Sequence, residues 1–403
     1  MSSMKESDWA FLLNNLLDMT MKESDWAFLP KILLDMILDK LVSFSEYVRF
    51  GAVCKPWRYV AMDNKLKFIQ NKFLGQVPFL MVPSKDNSDE RRSLYSITHN
   101  KLYDFQLRVP YIKRLSGSSH GWLFTVEDSL AVTLMNPFSG ATIELPPITE
   151  IDPPLPEYDD GTPHEVEFEV RRAIMSADPA SSPNDYIVTI IYSGCSHLAF
   201  IRAGDEAWTY IDKKRFLSIE DVIYYNGQIF AIDYQSRVLM IDVNRKDGES
   251  KVPQVEVAER VTRPDFEQIY LVESSNGDLL LVKRFLDEND AIEHTTSGFK
   301  VFKLLLEQFE SLELKNLGGD TLFVGDNHSI CVSASKWPGC QANSIYYTDD
   351  YTHIHFKPPS GRRDIGIFNI ENGSFGTHYI LDPSHNHMPP SIWIVPTVLG
   401  NFV

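Results

Sequence analysis

Val222-Ile223-Tyr224-Tyr225-Asn226-Gly227-Gln228-Ile229-Phe230-Ala231-Ile232 sets two β-type runs on either side of an Asn-Gly step. Asn-Gly is a strong hairpin signal, because both residues tolerate the positive φ that a two-residue turn between right-twisted strands requires. The flanking β-branched and aromatic residues suit a pleated, half-buried surface. The same pattern recurs from about residue 75 onward, as short apolar runs broken by turn residues. Upstream lie Pro78 to Val82, Ser93 to Thr98 and Lys101 to Leu107. Next come Gly121 to Val126, Ala131 to Met135 and Thr142 to Leu145, around the turn Asn136-Pro137-Phe138-Ser139-Gly140. A third cluster holds Tyr186 to Tyr192, His197 to Ile201 and Ala207 to Ile211. The hairpin's own cluster continues through Arg237 to Asp242 and Gln254 to Ala258. Gln268 to Glu273, Leu279 to Arg284 and Phe299 to Leu305 make a fifth, with the turn Asn276-Gly277-Asp278. Thr321 to Val324, Ser329 to Ser333, Ser344 to Tyr347 and Ile365 to Asn369 make the last, ahead of a final turn at Glu371-Asn372-Gly373. Six clusters of roughly 50 residues match the period of propeller blades, an architecture that protects sheet edges by radial repetition.

Composition narrows the function. The 403 residues are 43% hydrophobic and 23% charged, as in an ordinary globular protein. A net charge of -17 disfavours nucleic acid and anionic membrane as main partners, since both select clustered Lys and Arg. Cys54, Cys195, Cys331 and Cys340 are too few and too scattered for a disulfide framework, and no C-x-x-C pair suggests zinc. Reduced thiols point to the cytoplasm or nucleus. The N-terminus lacks the apolar segment of a signal peptide, and no apolar run approaches the ~20 residues that span a bilayer.

Before the β region the periodicity is helical. Leu29, Ile32, Leu33, Met36, Ile37 and Leu41 are spaced three and four apart, with Leu34 and Leu38 widening the stripe. Pro30 suits the first turn of a helix. Ser43-Phe44-Ser45-Glu46 offers a capping box for a second helix carrying Tyr47, Val48 and Phe50. A third is expected over Val53 to Met62, with Pro56 in its opening turn and Trp57, Val60 and Ala61 facing inward. Three short helices bury too little surface to stand alone, so the module must lean on a partner or on the domain that follows. Residues 4–20 are nearly repeated at 21–37. A shift of 17 residues rotates a helical stripe by about 260°, so the copies share no face. The first copy reads as a partial duplication, and a chain beginning at Met21 is expected to dock equally well.

In order, Leu29-Pro30, the leucines, Ile37-Leu38, Leu41 and Val53-Cys54-Lys55-Pro56-Trp57-Arg58 resemble an F-box, the module that docks a substrate receptor on the Skp-type subunit of a cullin ubiquitin ligase. The resemblance implies that Leu29, Pro30, Leu34, Leu38, Leu41, Val53, Cys54 and Trp57 are core or partner-facing, with Cys54 a small buried hydrophobe. Gly121-Trp122-Leu123 through Asn136-Pro137 to Glu144-Leu145-Pro146-Pro147, Val222 to Gly227, and Pro390-Ser391-Ile392-Trp393-Ile394 resemble the C-terminal KIB-type β-propeller of plant F-box proteins. Together the resemblances imply an α+β multidomain chain. It would comprise a partially duplicated extension (1–24), a three-helix F-box (25–65), a linker (66–77) and an all-β propeller of about six blades (78–398). They further imply a non-catalytic receptor without cofactor, bound to a Skp-type adaptor and through it a cullin, and holding an unidentified target protein.

Other patterns carry weaker readings. Glu150 to Val170 packs eight carboxylates, among them Glu157, Asp159 and Asp160, with no Lys or Arg. It is either an acidic lip that steers a basic target or a solvated inter-blade loop. His353-x-His355 and His385-x-His387 lack further ligands at metal spacing. Ser116-Gly117-Ser118-Ser119-His120-Gly121 precedes a strand, not the strand-to-helix elbow of a nucleophile, and reads as a tight turn. Trp122, Trp208, Trp337 and Trp393 read as blade core before ligand platform. Two competing functions stay open: a propeller scaffold that works outside any ligase, with a vestigial F-box, and an enzymatic or carbohydrate-binding propeller.

Overall fold

A computed structural model describes residues 25–41, 44–73, 77–83, 92–107, 115–126, 130–150, 170–193, 196–211, 218–241, 243, 254–256, 267–287, 295–337, 339–350, 364–380 and 390–395. The chain divides into two compact units, Met1–Leu74 and Gly75–Val403.

In the first unit, a 3-10 turn Asp25–Phe28 precedes α1 (Lys31–Lys40), α2 (Phe44–Ala52) and α3 (Lys55–Phe73). These are the three α-helices among the described residues. Helix α3 runs well past Met62, so residues 66–73, read from sequence as linker, are helical. Nothing in Asp63 to Phe73 breaks a helix; the sequence reading ended it where the apolar stripe faded, although helix propensity there persists.

The second unit is a six-bladed propeller. Blade 1 orders β25 (Ile392–Ile394), β1 (Phe79–Pro83), β2 (Arg92–Ser96) and β3 (Lys101–Leu107). Blade 2 holds β4 (Ser118–Ser119), β5 (Trp122–Val126), β6 (Ala131–Met135) and β7 (Thr142–Pro147). Blade 3 holds β8 (Val170–Met175), β9 (Ile187–Tyr192), β10 (His197–Arg202) and β11 (Thr209–Tyr210). Blade 4 holds β12 (Ile219–Tyr225), β13 (Gln228–Asp233), β14 (Arg237–Ile241) and β15 (Gln254–Glu256). Blade 5 holds β16 (Glu267–Glu273), β17 (Leu279–Leu286), β18 (Thr296–Leu305) and β19 (Glu310–Leu314). Blade 6 departs from the four-stranded meander. Its order is β21 (Ile330–Ser333), β20 (Asp320–Val324), β22 (Ser344–Tyr347), β23 (Gly366–Asn369) and β24 (Phe375–Gly376). There β20 and β22 pair in parallel, Thr321 opposite Ser344 through Val324 opposite Tyr347.

The ring closes because the C-terminal strand β25 pairs antiparallel with the N-terminal β1, setting Leu80 opposite Trp393. The apolar layers lie between blades. Trp122, Phe124 and Leu134 pack on Val188, Ile190 and Ala199, and Tyr270, Val282 and Val301 pack on Leu322, Ile345 and Phe368. Fully burying one such side chain contributes about 1.5–3 kcal/mol, so these layers bind adjacent blades together.

The Asn226-Gly227 hairpin forms as its residues dictate: both take positive φ, 48° and 78°, and Tyr225 pairs with Gln228. A second turn of the same kind joins β4 to β5 at His120 and Gly121, with φ of 49° and 76°. The run from Ser116 is therefore a short inner strand plus a tight turn. Four strands escape the apolar pattern: β4 and β24 are two residues long, β19 alternates exposed and half-buried positions, and β8 carries Arg171 and Arg172.

Candidate functional site

Pro30 precedes α1 with φ -54° and ψ 141°, and its carbonyl accepts the amides of Leu33 and Leu34. Proline suits this place because its fixed φ leads into the helix and it has no N–H to satisfy. One turn apart, Leu34 and Leu38 are 1% and 2% exposed and form the inward side of α1. From α2, Tyr47 and Phe50 enter the same interior, and from α3, Val60 and Ala61. Helices α2 and α3 approach closely. A β-carbon on Gly51 would stand 3.4 Å from that of Ala61, and the Tyr47 hydroxyl donates to the Ala61 carbonyl. Burial pushes that hydroxyl up to about 12, which makes it a structural donor with no role in proton transfer at neutral pH. The Phe50 and Trp57 rings lie 4.6 Å apart. The Trp57 indole N–H donates to the Trp26 carbonyl at 2.9 Å, tying the 3-10 turn to α3. Polar pairs join α1 to α3: Lys31 meets Asp63, and the Asn64 amide donates to Asp35 at 2.7 Å.

Several large apolar side chains of the unit are exposed. Trp26 is 55% exposed, Ile32 69%, Val53 57%, Tyr59 72% and Met62 66%. In the whole described propeller, which is far larger, the comparable residues are Phe309, Leu312, Phe375 and Ile380. An exposed apolar residue needs no explanation singly, but such a concentration on so small a unit marks an interaction surface.

The structure sorts the residues named from sequence. Leu34 and Leu38 are core; Leu29, Leu41, Cys54 and Trp57 are half-buried; Pro30 and Val53 are exposed. Cys54 is thus less enclosed than expected, because it lies at the open α2–α3 junction. Ile32, counted in the inward stripe, points outward. Trp26, Tyr59 and Met62 were not singled out; their signal was apolar character outside the inward stripe, Tyr59 and Met62 being three apart on one face of α3. Ser43 of the capping box lies outside the described residues. So do Glu157, Asp159 and Asp160 and the four histidines of the His-x-His pairs.

Three propeller tryptophans are core. Trp122, Trp208 and Trp393 are 0%, 6% and 0% exposed. Their indole N–H groups bond Asp178, the Pro146 carbonyl and the Val324 carbonyl, each in a neighbouring blade. Trp337 is half-buried. No group of three or more His, Cys, Asp or Glu side chains among the described residues is arranged to hold a metal.

The described chain is thus a small helical unit with exposed apolar side chains, followed by a closed six-bladed propeller. Residues 94–369 match the family described as KIB1-4 beta-propeller. That span is well over half of the chain, which therefore belongs to this family of propellers. Similarity extends through the helical unit as well. The Arabidopsis thaliana proteins called F-box protein At2g17036 and F-box protein SKIP23 are 25% and 26% identical to it, each over 96% of this chain and 95% of its own length. Among solved structures, TolB from Acinetobacter baumannii matches 84% of this chain and 73% of its own at 10% identity, with a TM-score of 0.38. The fold assignment rests on the sheet topology, to which so distant a likeness adds nothing.

Proposed function

We propose that this protein is the substrate-recognition subunit of a Skp–cullin–F-box ubiquitin ligase. The helical unit docks on a Skp-type adaptor and through it a cullin, while the propeller holds a target protein. The observation that carries the reading is the concentration of Trp26, Ile32, Val53, Tyr59 and Met62 on the outside of a three-helix unit whose inside is already filled by Leu34, Leu38, Phe50 and Ala61. Relatives similar in sequence over nearly their whole length are named F-box proteins. In this role the chain makes and breaks no bonds. Its contribution is proximity, which turns an encounter between target lysine and charged conjugating enzyme into an effectively intramolecular one.

The test is co-purification of the full chain with a Skp-type adaptor. Tyr59→Asp with Met62→Asp places two charges on the open side without touching the interior. Capture is expected to fall about tenfold or more, since an unpaired charge in a desolvated interface costs several kcal/mol, with helical circular dichroism unchanged. Equal capture by the double variant and the parent would overturn the docking assignment and leave a propeller scaffold that works outside a ligase.

A further inference from the structure

Ser116 to Ser118, Arg172, Asp221, Tyr270, Leu271, Arg284, Asn327, Asp350, Asp364 and Trp393 come from all six blades, yet they form one bonded circuit around the propeller axis. From blade 1, the Trp393 carbonyl accepts the Ser118 hydroxyl of blade 2. The Ser116 carbonyl, beside β4, accepts the Ala173 amide of blade 3 at 2.9 Å. Arg172 of blade 3 donates to Asp221 of blade 4 at 2.9 Å. Asp221 accepts the Leu271 amide of blade 5 at 2.6 Å. In blade 5, Tyr270 donates to Asp350, while Arg284 donates to the Thr348 carbonyl at 2.8 Å and to Asp364 at 2.9 Å, all in blade 6. Asn327 of blade 6 accepts the Trp393 amide at 3.1 Å, and the circuit returns to blade 1.

One member does more than link neighbours. The Arg172 guanidinium also donates to the carbonyls of Asn327 at 3.2 Å and Gly325 at 3.3 Å, and stands 3.8 Å from Asp350. Blades 3 and 6 are diametrically opposed in a six-bladed ring, so this side chain is a chord across the channel. Its residue is 5% exposed and Asp221 1%. Burial works against the guanidinium charge, but Asp221, Asp350 and Asp326 outweigh it, and its pKa is raised. A planar fork with five donors can serve a carboxylate and two carbonyls at once; an ammonium cannot hold that geometry.

We propose that Arg172 is an axial lock: it closes the central channel and fixes the irregular sixth blade to blades 3 and 4, independently of the strand closure at β25. Blade 6 needs such a device. Its parallel β20–β22 pair interrupts the meander, and its inner strand β21 is only half-buried along its whole length. If the propeller holds a target as proposed above, the chord keeps that target from passing through the axis at this level.

Peptide-resolved hydrogen exchange on the full chain tests the lock. In Arg172→Met, the segments 320–333 and 390–395 are expected to exchange about tenfold faster or more, because local opening there loses its opposing bond. Arg172→Lys should behave alike, keeping charge but not the fork. Arg237→Met removes a partly exposed pair with Asp233 and should change exchange only within blade 4. Unchanged exchange at 320–333 in Arg172→Met, or the same change in Arg237→Met, would overturn the lock. If Arg172→Met does not fold, Arg172→Met combined with Asp221→Leu also removes the buried carboxylate that Arg172 bonds at 2.9 Å. Fast exchange confined to blades 6 and 1 then supports the lock, and parental exchange throughout refutes it.

Discussion

Gly325 shows how one position can be decided by a neighbour far along the chain. A β-carbon there would meet the Thr348 hydroxyl oxygen at 2.0 Å and its β-carbon at 3.3 Å. Thr348 is 0% exposed and has nowhere to move. Gly325→Ala is therefore expected to destabilise the propeller by about 1–3 kcal/mol, the usual penalty for overpacking a filled interior. Adding Thr348→Ala removes the nearer contact and should recover part of the loss; urea midpoints of the single and double variants check both. The residue scale also shows the limits of reading sequence. Asn226-Gly227 announced its turn because the turn's requirement is local. Nothing in the segments of Arg172 and Arg284 names the carboxylates and carbonyls they reach.

At the scale of elements, legibility followed the length of the apolar run. Strands such as β9, β13, β17 and β22 are nearly all buried and were plain from composition. Strand β8 was missed because two arginines break its run, and β19 because an outermost strand needs only one apolar side. Helix α1 was legible as an amphipathic stripe, yet its periodicity did not tell Ile32 from Leu34; only the position of α3 decides which side is covered. Strand β25 carries the closure of the ring. Its Trp393 packs on Phe323 with ring centroids 5.1 Å apart and is 0% exposed. Trp393→Ala is expected to cost about 3–5 kcal/mol. It should also leave β1 as a frayed edge, measurable as a lower thermal midpoint and as new aggregation through unpaired strand groups.

For the whole molecule, the imidazoles of His328 and His378 contribute to the response to acid. Burial, with His120 and Arg172 nearby, pushes His328 down to about 3, and burial pushes His378 down to about 4. Both residues are half-buried overall, and the Arg172 guanidinium adds to the effect of burial at His328. With folded values below the ordinary 6.5, the unfolded chain binds more protons between pH 6.5 and about 4. Stability from this source is thus full above pH 6.5 and falls as the pH drops, by at most about 1.4 kcal/mol per pH unit for each imidazole. The urea midpoint is expected to decline from pH 7 to pH 5, and His328→Asn should flatten that decline; an unchanged slope in the variant would count against this origin.

The sequence by itself determined what short range can determine. Repeated β runs and turn residues specify a propeller of about six blades, and a helical stripe with Leu29-Pro30 and Val53 to Arg58 specifies a small helical unit. Turn chemistry and side-chain periodicity act over a few residues, so they are written where they act. Only the tertiary structure decided which apolar residues of the helical unit stay open, where the sixth blade pairs in parallel, and that Arg172 spans the axis. Those outcomes depend on contacts between residues as distant as Arg172 and Asn327 or Trp393 and Ser118. Burial and hydrogen-bond satisfaction choose among such contacts only once the ring has closed.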